Sequence, residues 1–340
     1  MGILISVLVF GLVVMIHEFG HFAVAKICGI KVNEFSIGMG PKIFGKKKGD
    51  TEYNLRALPI GGFVAMEGED EGENMSEGSF NSVPVQSRIL VVIAGAVMNM
   101  ILGFAALLFL VSGEDAITSR KVKGFYENAK TYETGLREDD EIVAINGRKC
   151  YIADDIIYEF ARTENASADF TVIRDGEKIQ LKGVTFDTVE NDDGTSRMII
   201  DFYVYPVEKT VHSVVKEAAN WTISLARTVF LSLIDLVTGH VAINQMSGPV
   251  GIVSTISEAV SYGYESVLLI LAMITINLGV FNLMPFPALD GGRLLFLLIE
   301  LLRGKPLNPK YEMFVNARGM IILLGFMAFV TFSDITKLFI

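Results

Sequence analysis

Two histidines and a glutamate stand together near the start of the chain, as His17-Glu18-Phe19-Gly20-His21. On a helix, positions i and i+4 lie about 40° apart around the axis, so both imidazoles point the same way and can share one metal ion. Glu18, one position along, can reach a water polarised by that ion and take its proton. The H-E-x-x-H spacing is the one that zinc-dependent peptidases use. Two ordinary histidines would be the plainer explanation. The setting weighs against it, because the pattern lies in an apolar run. A carboxylate in hydrocarbon costs ~2.5–3.5 kcal/mol or more and is seldom kept without a function. The chain has only 4 histidines, and two of them are here.

A catalytic zinc needs a third protein ligand and an open position. The segment Asn282-Leu283-Met284-Pro285-Phe286-Pro287-Ala288-Leu289-Asp290-Gly291-Gly292 offers one. Asp290 is the first charge after the uncharged run Ser266–Leu289, and Pro285 and Pro287 break the helix just before it. Broken backbone at membrane depth survives only where protein or a water-filled cavity covers it. Asp290 is therefore expected as the third ligand, against the alternative of a helix-end aspartate at the interface. Asn282, Asn277, Pro285 and Pro287 are expected to contact substrate. For Asn282, beside the break, that means the substrate backbone or the oxyanion. Asn99 suits interhelical hydrogen bonding at least as well as a role near the metal. His212 and His240 are expected as surface histidines.

The elements that must position these residues are membrane spans. The chain has 340 residues, 51% hydrophobic and 20% charged, with a mean hydropathy of +0.45. Met1–His17, Ile89–Gly113 and Ser266–Leu289 lack any Asp, Glu, Lys or Arg, and Gly319–Ser333 is nearly all apolar. Crossing hydrocarbon as a helix takes ~20 mostly apolar residues. The pattern predicts four spans, over residues 2–24, 89–112, 264–289 and 315–337, and excludes a cytosolic enzyme, a fibrous protein or a disordered chain. The first run is read as a retained span. Ala23-Val24-Ala25 looks like a cleavage site, but no basic n-region precedes the run.

Lys26, Lys31, Lys42, Lys46, Lys47, Lys48, Arg56 and Arg88 follow the first span, and Arg293, Arg303, Lys305, Lys310 and Arg318 follow the third. Short basic loops stay cytoplasmic. Both termini and the segment between the second and third spans are then expected outside the cell. Residues 114–210 carry 21 acidic and 13 basic side chains, most of the net charge of −10. That charge argues against a nucleic-acid partner. Cys28 and Cys150 would lie on opposite sides and remain unbonded.

Four regions follow: membrane residues 1–113, a soluble domain at 114–207, an outer amphipathic helical region at 208–263, and membrane residues 264–340. The run Thr51–Leu58, ending in Gly61-Gly62-Phe63-Val64-Ala65, suits a β-hairpin, with turn signals at Gly38–Pro41 and Pro59–Gly62. The acidic tract Glu67, Glu69, Asp70, Glu71, Glu73, Glu77 is expected as a solvated flexible loop. In the soluble domain, strands are expected at Phe170–Arg174 and Met198–Tyr205 and a helix near Asp154–Arg162. Residues 210–238 are expected as a membrane-surface helix, with a fifth span as the rival.

The chain resembles the site-2-type intramembrane zinc metalloproteases, in particular the bacterial RseP/RasP-like regulators. The resemblance rests on His17-Glu18-x-Gly20-His21-Phe22, on Asn282-x-x-Pro285-x-Pro287-x-Leu289-Asp290-Gly291, on Gly61-Gly62-Phe63-Val64 and on Ser247-Gly248-Pro249-Val250-Gly251-Ile252. Ala96 departs from it, where the family often has Pro. The resemblance implies zinc held by His17, His21 and Asp290, with Glu18 as base. It also implies a membrane-associated β-hairpin in which Gly61, Gly62 and Phe63 pair with substrate. The implied substrate is a single-pass membrane protein such as an anti-sigma factor, or a remnant signal peptide. Thr134–Gly147 resembles part of a PDZ domain, with Asp139 where Gly is usual. The implied fold is thus an α-helical multi-pass membrane protein with four transmembrane helices, one inserted extracytoplasmic α+β PDZ domain and the hairpin. Peptide binding by that domain and steric exclusion of bulky substrates are equally compatible with its acidity. Two rival functions remain at this level: a non-catalytic membrane scaffold and a metal transporter.

Overall fold

The computed structural model describes residues 2–69, 76–163, 166–190, 196–238 and 247–337. In chain order, α1 (Gly2–Ile27), β1 (Val32–Lys48), β2 (Thr51–Met66) and α2 (Val85–Gly113) come first. Then follow β3 (Ile117–Phe125), α3 (Lys130–Glu133), β4 (Glu141–Ile145), β5 (Arg148–Lys149), α4 (Ala153–Ala161), β6 (Ser167–Arg174) and β7 (Glu177–Thr185). Next are β8 (Thr188–Glu190), β9 (Ser196–Met198), β10 (Phe202–Val207) and α5 (Val211–Thr238). Last are α6 (Pro249–Tyr262), α7 (Tyr264–Leu283), α8 (Asp290–Arg303) and α9 (Pro309–Lys337). The chain divides into one compact unit of residues 1–106 and 228–340 and a second of residues 107–227. Among the described residues, α1, α2, α7 and α9 are long and apolar enough to cross a membrane. Helix α5 does not meet that standard.

In the first unit, the apolar run of α1 continues until Gly29, whose φ of +76° ends the helix. The N–H of Ile30 returns to the carbonyl of Ala25, and that of Gly29 to Lys26. This is the Schellman arrangement, which only a residue without Cβ adopts freely. Helices α1, α2 and α7 approach closely through small residues. A Cβ on Gly20 would run into the Ala94 carbonyl, one on Gly279 would lie 3.1 Å from the Ala96 carbonyl, and one on Gly103 would strike Ile276. Close backbone approach of this kind drives helix association where lipid supplies no hydrophobic force. The buried Ala96 takes part directly, in place of the expected Pro.

Strands β1 and β2 form the hairpin, but its reversal is not where the glycine clusters suggest. Lys48 pairs with Thr51 across Gly49-Asp50, with Gly at the first central position, as a type II′ turn requires. The expected turn segments Gly38–Pro41 and Pro59–Gly62 lie inside the strands. Their glycines adopt φ of +83° (Gly38), +84° (Gly40) and +81° (Gly61), which folds each long strand back on itself. As a result Glu34–Ile37 lies between two runs of β2: Gly62–Ala65 on one side and Glu52–Leu55 on the other. Among the described pairings, Gly62–Met66 is bonded on one side only and presents an open edge. The acidic tract is also not simply solvated. Glu67 accepts from Ser76, and Glu69 pairs with Arg293. Asp70, Glu71 and Glu73 lie outside the described residues, as does His240.

In the second unit, β10, β3, β4, β6 and β7 lie side by side in that order, with β5 beside β4. Val122, Ile142, Ile145, Phe170, Val172, Val184 and Phe202 of this sheet pack on Ile156 and Phe160 of α4. The run expected as one strand, Met198–Tyr205, splits between β9 and β10, because Asp201 turns inward to accept from the N–H and hydroxyl of Thr131. Asp139 has φ of +66°, a conformation Asp tolerates and Gly prefers. Asp155, buried, accepts from the Tyr151 and Ile152 N–H groups and from Ser224 and Arg227 of α5. His212 is exposed. Cys28 and Cys150 are free thiols, and burial pushes Cys150 up to about 12.

Burial on α5 raises the Glu217 carboxyl to about 7, with Glu114 and Asp154 adding to the rise and Arg120 opposing it. An unfolded Glu titrates near 4.3. Between those values the folded chain holds a proton that the unfolded chain has released, so stability falls as pH rises through this window. Glu217→Gln is expected to match the parent near pH 4 and to unfold at higher temperature near pH 8. Trp221 fluorescence, one helical turn away, reports the transition. An unchanged pH dependence would show that burial of Glu217 is not its source.

Candidate metal centre

The site is assembled within the first unit. Helix α1 supplies His17 and His21, 7% and 9% exposed, with their rings 4.8 Å apart edge to face. Asp290 is the first residue of α8. Its Oδ2 lies 3.1 Å from His17 Nε2 and 3.3 Å from His21 Nε2, and the two Nε2 atoms are 3.2 Å apart.

The other imidazole nitrogens are already engaged. His21 Nδ1–H donates to the Val91 carbonyl of α2 at 2.8 Å. His17 Nδ1 lies 3.3 Å from the Asn99 side-chain amide, and Asn99 Oδ1 is buried without a partner. With the amide oxygen turned toward the ring, Nδ1–H donates to it. Each Nε2 then presents a lone pair, the tautomer a metal requires. Asp290 Oδ2 is likewise buried with no hydrogen-bond partner. Three lone-pair donors facing one another are unfavourable unless a proton or a metal cation lies between them. Their separations match the edge of a tetrahedron built on bonds of ~2.0 Å, about 3.3 Å. These three residues are also the cluster of potential metal ligands found among the described residues.

Glycines make the convergence sterically possible. A Cβ on Gly95 of α2 would sit 2.7 Å from His17 Cε1 and 2.8 Å from His17 Nε2. On Gly291 it would meet the Leu283 carbonyl carbon at 2.5 Å, and on Gly292 the Pro287 Cα at 3.1 Å. The bare glycines let α8 start directly against the broken segment Met284–Leu289. There Ala288 adopts φ of +71° and its N–H donates to Asn316 of α9 at 3.3 Å.

Beside the donors is a cavity of about 260 Å³, lined by Glu18, Phe63, Val64, Met66, Glu69, Val91, Val92 and Arg293 together with His17, His21 and Asp290. A Cβ on Gly62 would lie 3.7 Å from Glu18 Cγ, so β2 passes next to the Glu18 side chain. Asn282 Nδ2 is 3.4 Å from His17 Nε2. Pro285 and Pro287 form the break but do not line the cavity, and Pro287 abuts Gly319 of α9. Asn277 is exposed on α7, about 140° around the axis from Asn282, and is not brought to the cavity. Sequence reasoning gave Asn99 no preference for the metal and passed over Gly95. Their i, i+4 spacing on one helical run was the available signal.

Two carbonyl- or amide-anchored imidazoles, a carboxylate and a neighbouring acid within apolar helices define a metal-dependent hydrolase. Residues 5–326 match the model of peptidase family M50, and the chain belongs to that family. A Clostridium perfringens protein named as a zinc metalloprotease is 38% identical over 338 residues, covering 98% of each chain. The regulator of sigma-W protease RasP of Bacillus subtilis is 32% identical and the zinc metalloprotease RasP of Bacillus licheniformis 33%, again over 98% of each chain. The protein is a zinc metalloprotease with apolar helices fit to cross a membrane, and the scaffold and transporter readings give way.

Removal of the outer anchor on His17 should weaken metal binding without unfolding the chain. Asn99→Ala is expected to lower zinc affinity about 10–100-fold, whereas Gly95→Ala, with a methyl driven into the imidazoles, should bind no stoichiometric zinc. Competition with a chromophoric chelator measures both. Parental affinity in Gly95→Ala would contradict the placement of the donors.

Proposed function

We propose that this metalloprotease hydrolyses peptide bonds within transmembrane segments of single-pass membrane proteins. In this reading zinc is held by His17, His21 and Asp290, with Glu18 as the catalytic base. The observation that carries it is the meeting of three lone-pair donors at an unpartnered buried oxygen, two of them on α1, a helix of membrane-spanning character, and the third at the start of α8. When bound, zinc supplies Lewis-acid polarisation of the scissile carbonyl and makes a water more acidic. Glu18 accepts the proton of the attacking water and delivers it to the departing amine. Asn282, beside His17, donates to the carbonyl oxygen as negative charge develops.

A helical substrate must unwind before its carbonyl is accessible. The open edge of Gly62–Met66 supports a strand-addition role, with main-chain bonds holding the substrate extended. Gly61 and Gly62 shape that edge, and Phe63 and Val64 touch substrate side chains in the cavity. The basic loops support a topology with both termini and the 114–207 domain outside the cell. The sheet of the second unit, with positive φ at Asp139, supports the PDZ reading of that domain. The name of the Bacillus subtilis relative, a regulator of sigma-W protease, suggests an anti-sigma-factor-like substrate.

Reconstituted with a single-span substrate, Glu18→Gln is expected to keep its zinc and lose about 10²–10⁴-fold in cleavage rate. Asp290→Ala should lose zinc and activity together. Parental cleavage by Glu18→Gln would remove that residue as base, and full zinc occupancy with activity in Asp290→Ala would remove it from the ligand set.

A further inference from the structure

Helix α8, which begins at the ligand Asp290, has its polarity reversed. Arg293, Leu297 and Glu300 fall within about 60° of one another around the axis and face the protein. Arg293 donates to the Glu69 carboxylate and, at 3.1 Å, to its backbone carbonyl. Glu300 takes a two-pronged pair from Arg88 of α2, and Leu297 is 5% exposed. Leu295, Leu298 and Leu302 fall within about 60° on the opposite side and are 41%, 40% and 87% exposed. A soluble helix would place these faces the other way round.

The helix is too short to cross a bilayer, at 14 residues. It is tethered between two candidate spans by the links 284–289 and 304–308, each able to reach only about 20 Å. Arg303, Lys305 and Lys310, at and just beyond its end, are exposed. We infer that α8 is a lipid-embedded fifth membrane element, its Leu295, Leu298 and Leu302 face lying among acyl chains and its Arg303–Lys310 end on anionic headgroup phosphate. The flanking spans also present exposed apolar side chains near their ends next to α8, Leu283 on α7 and Met313 and Phe314 on α9, and the basic end complements an anionic leaflet. The inference needs no proteolysis and stands apart from the reading of the metal site.

The test uses the full chain with Trp221→Phe and Leu302→Trp, which leaves one tryptophan. In phosphatidylcholine vesicles containing phosphatidylglycerol, the emission should be blue-shifted and largely quenched by brominated acyl chains. Native mass spectrometry of the detergent-solubilised parent should show phosphatidylglycerol retained over phosphatidylcholine. Arg303→Gln with Lys305→Gln should cut that preference about fivefold for each cation removed, the factor set by the attraction of one basic residue to an anionic surface. Red-shifted emission that brominated lipid does not quench would overturn the inference. So would blue-shifted emission that is unquenched and depends on protein concentration, which would place a second copy on this face. An unchanged lipid preference in the double variant would overturn the headgroup contact.

Discussion

The structure depends on one unsatisfied meeting of charge density: Asp290 Oδ2 and the Nε2 atoms of His17 and His21, all within 3.3 Å of one another. With both Nε2 atoms unprotonated, these groups repel and the buried oxygen lacks a donor. A divalent cation between them would turn that repulsion into attraction. Much of the surrounding architecture serves to let the donors come this close. Gly20, Gly95, Gly291 and Gly292 remove the Cβ atoms that would hold the helices apart. The Val91 carbonyl and Asn99 fix the rings from behind.

A second constraint keeps Asp290 in place. It sits after a broken segment, where a helix end alone would be free to move. Two ion pairs clasp α8 from within, Arg293 to Glu69 and Arg88 to Glu300. The Arg88–Glu300 pair is largely buried and the Arg293–Glu69 pair half-buried; pairs of this kind add little net stability, but breaking a buried one leaves an uncompensated charge that is costly in a low-dielectric setting. They therefore set position more than they add stability. Because Glu69 follows shortly after the open strand edge, the same clasp joins that edge to the helix that begins at Asp290.

The convergence of the candidate site residues was largely legible in the sequence, and the scaffold around them less so. His17, Glu18 and His21 are recognisable because helical spacing alone brings the imidazoles to one side. Asp290 is recognisable because a lone charge beside two prolines ends an apolar run. The hairpin reversal was misplaced because glycine signals positive φ without saying whether the chain turns or merely bends, and Gly38, Gly40 and Gly61 bend it within strands. Helix α8 went unnoticed because its leucines look like a core face while its charges look like a solvent face. Only the tertiary pairs with Glu69 and Arg88 reveal the reversal. Asn277 was grouped with Asn282 by residue type, whereas the helical rotation between them separates their surroundings.

The central claim is most directly tested by zinc K-edge X-ray absorption on the purified full chain in detergent, with zinc counted by mass spectrometry. The account predicts one zinc per chain in a four-coordinate shell of nitrogen and oxygen at ~2.0 Å, with two imidazole scattering patterns. A sulfur-containing shell, or a chain without stoichiometric zinc that still cleaves its substrate, would contradict it.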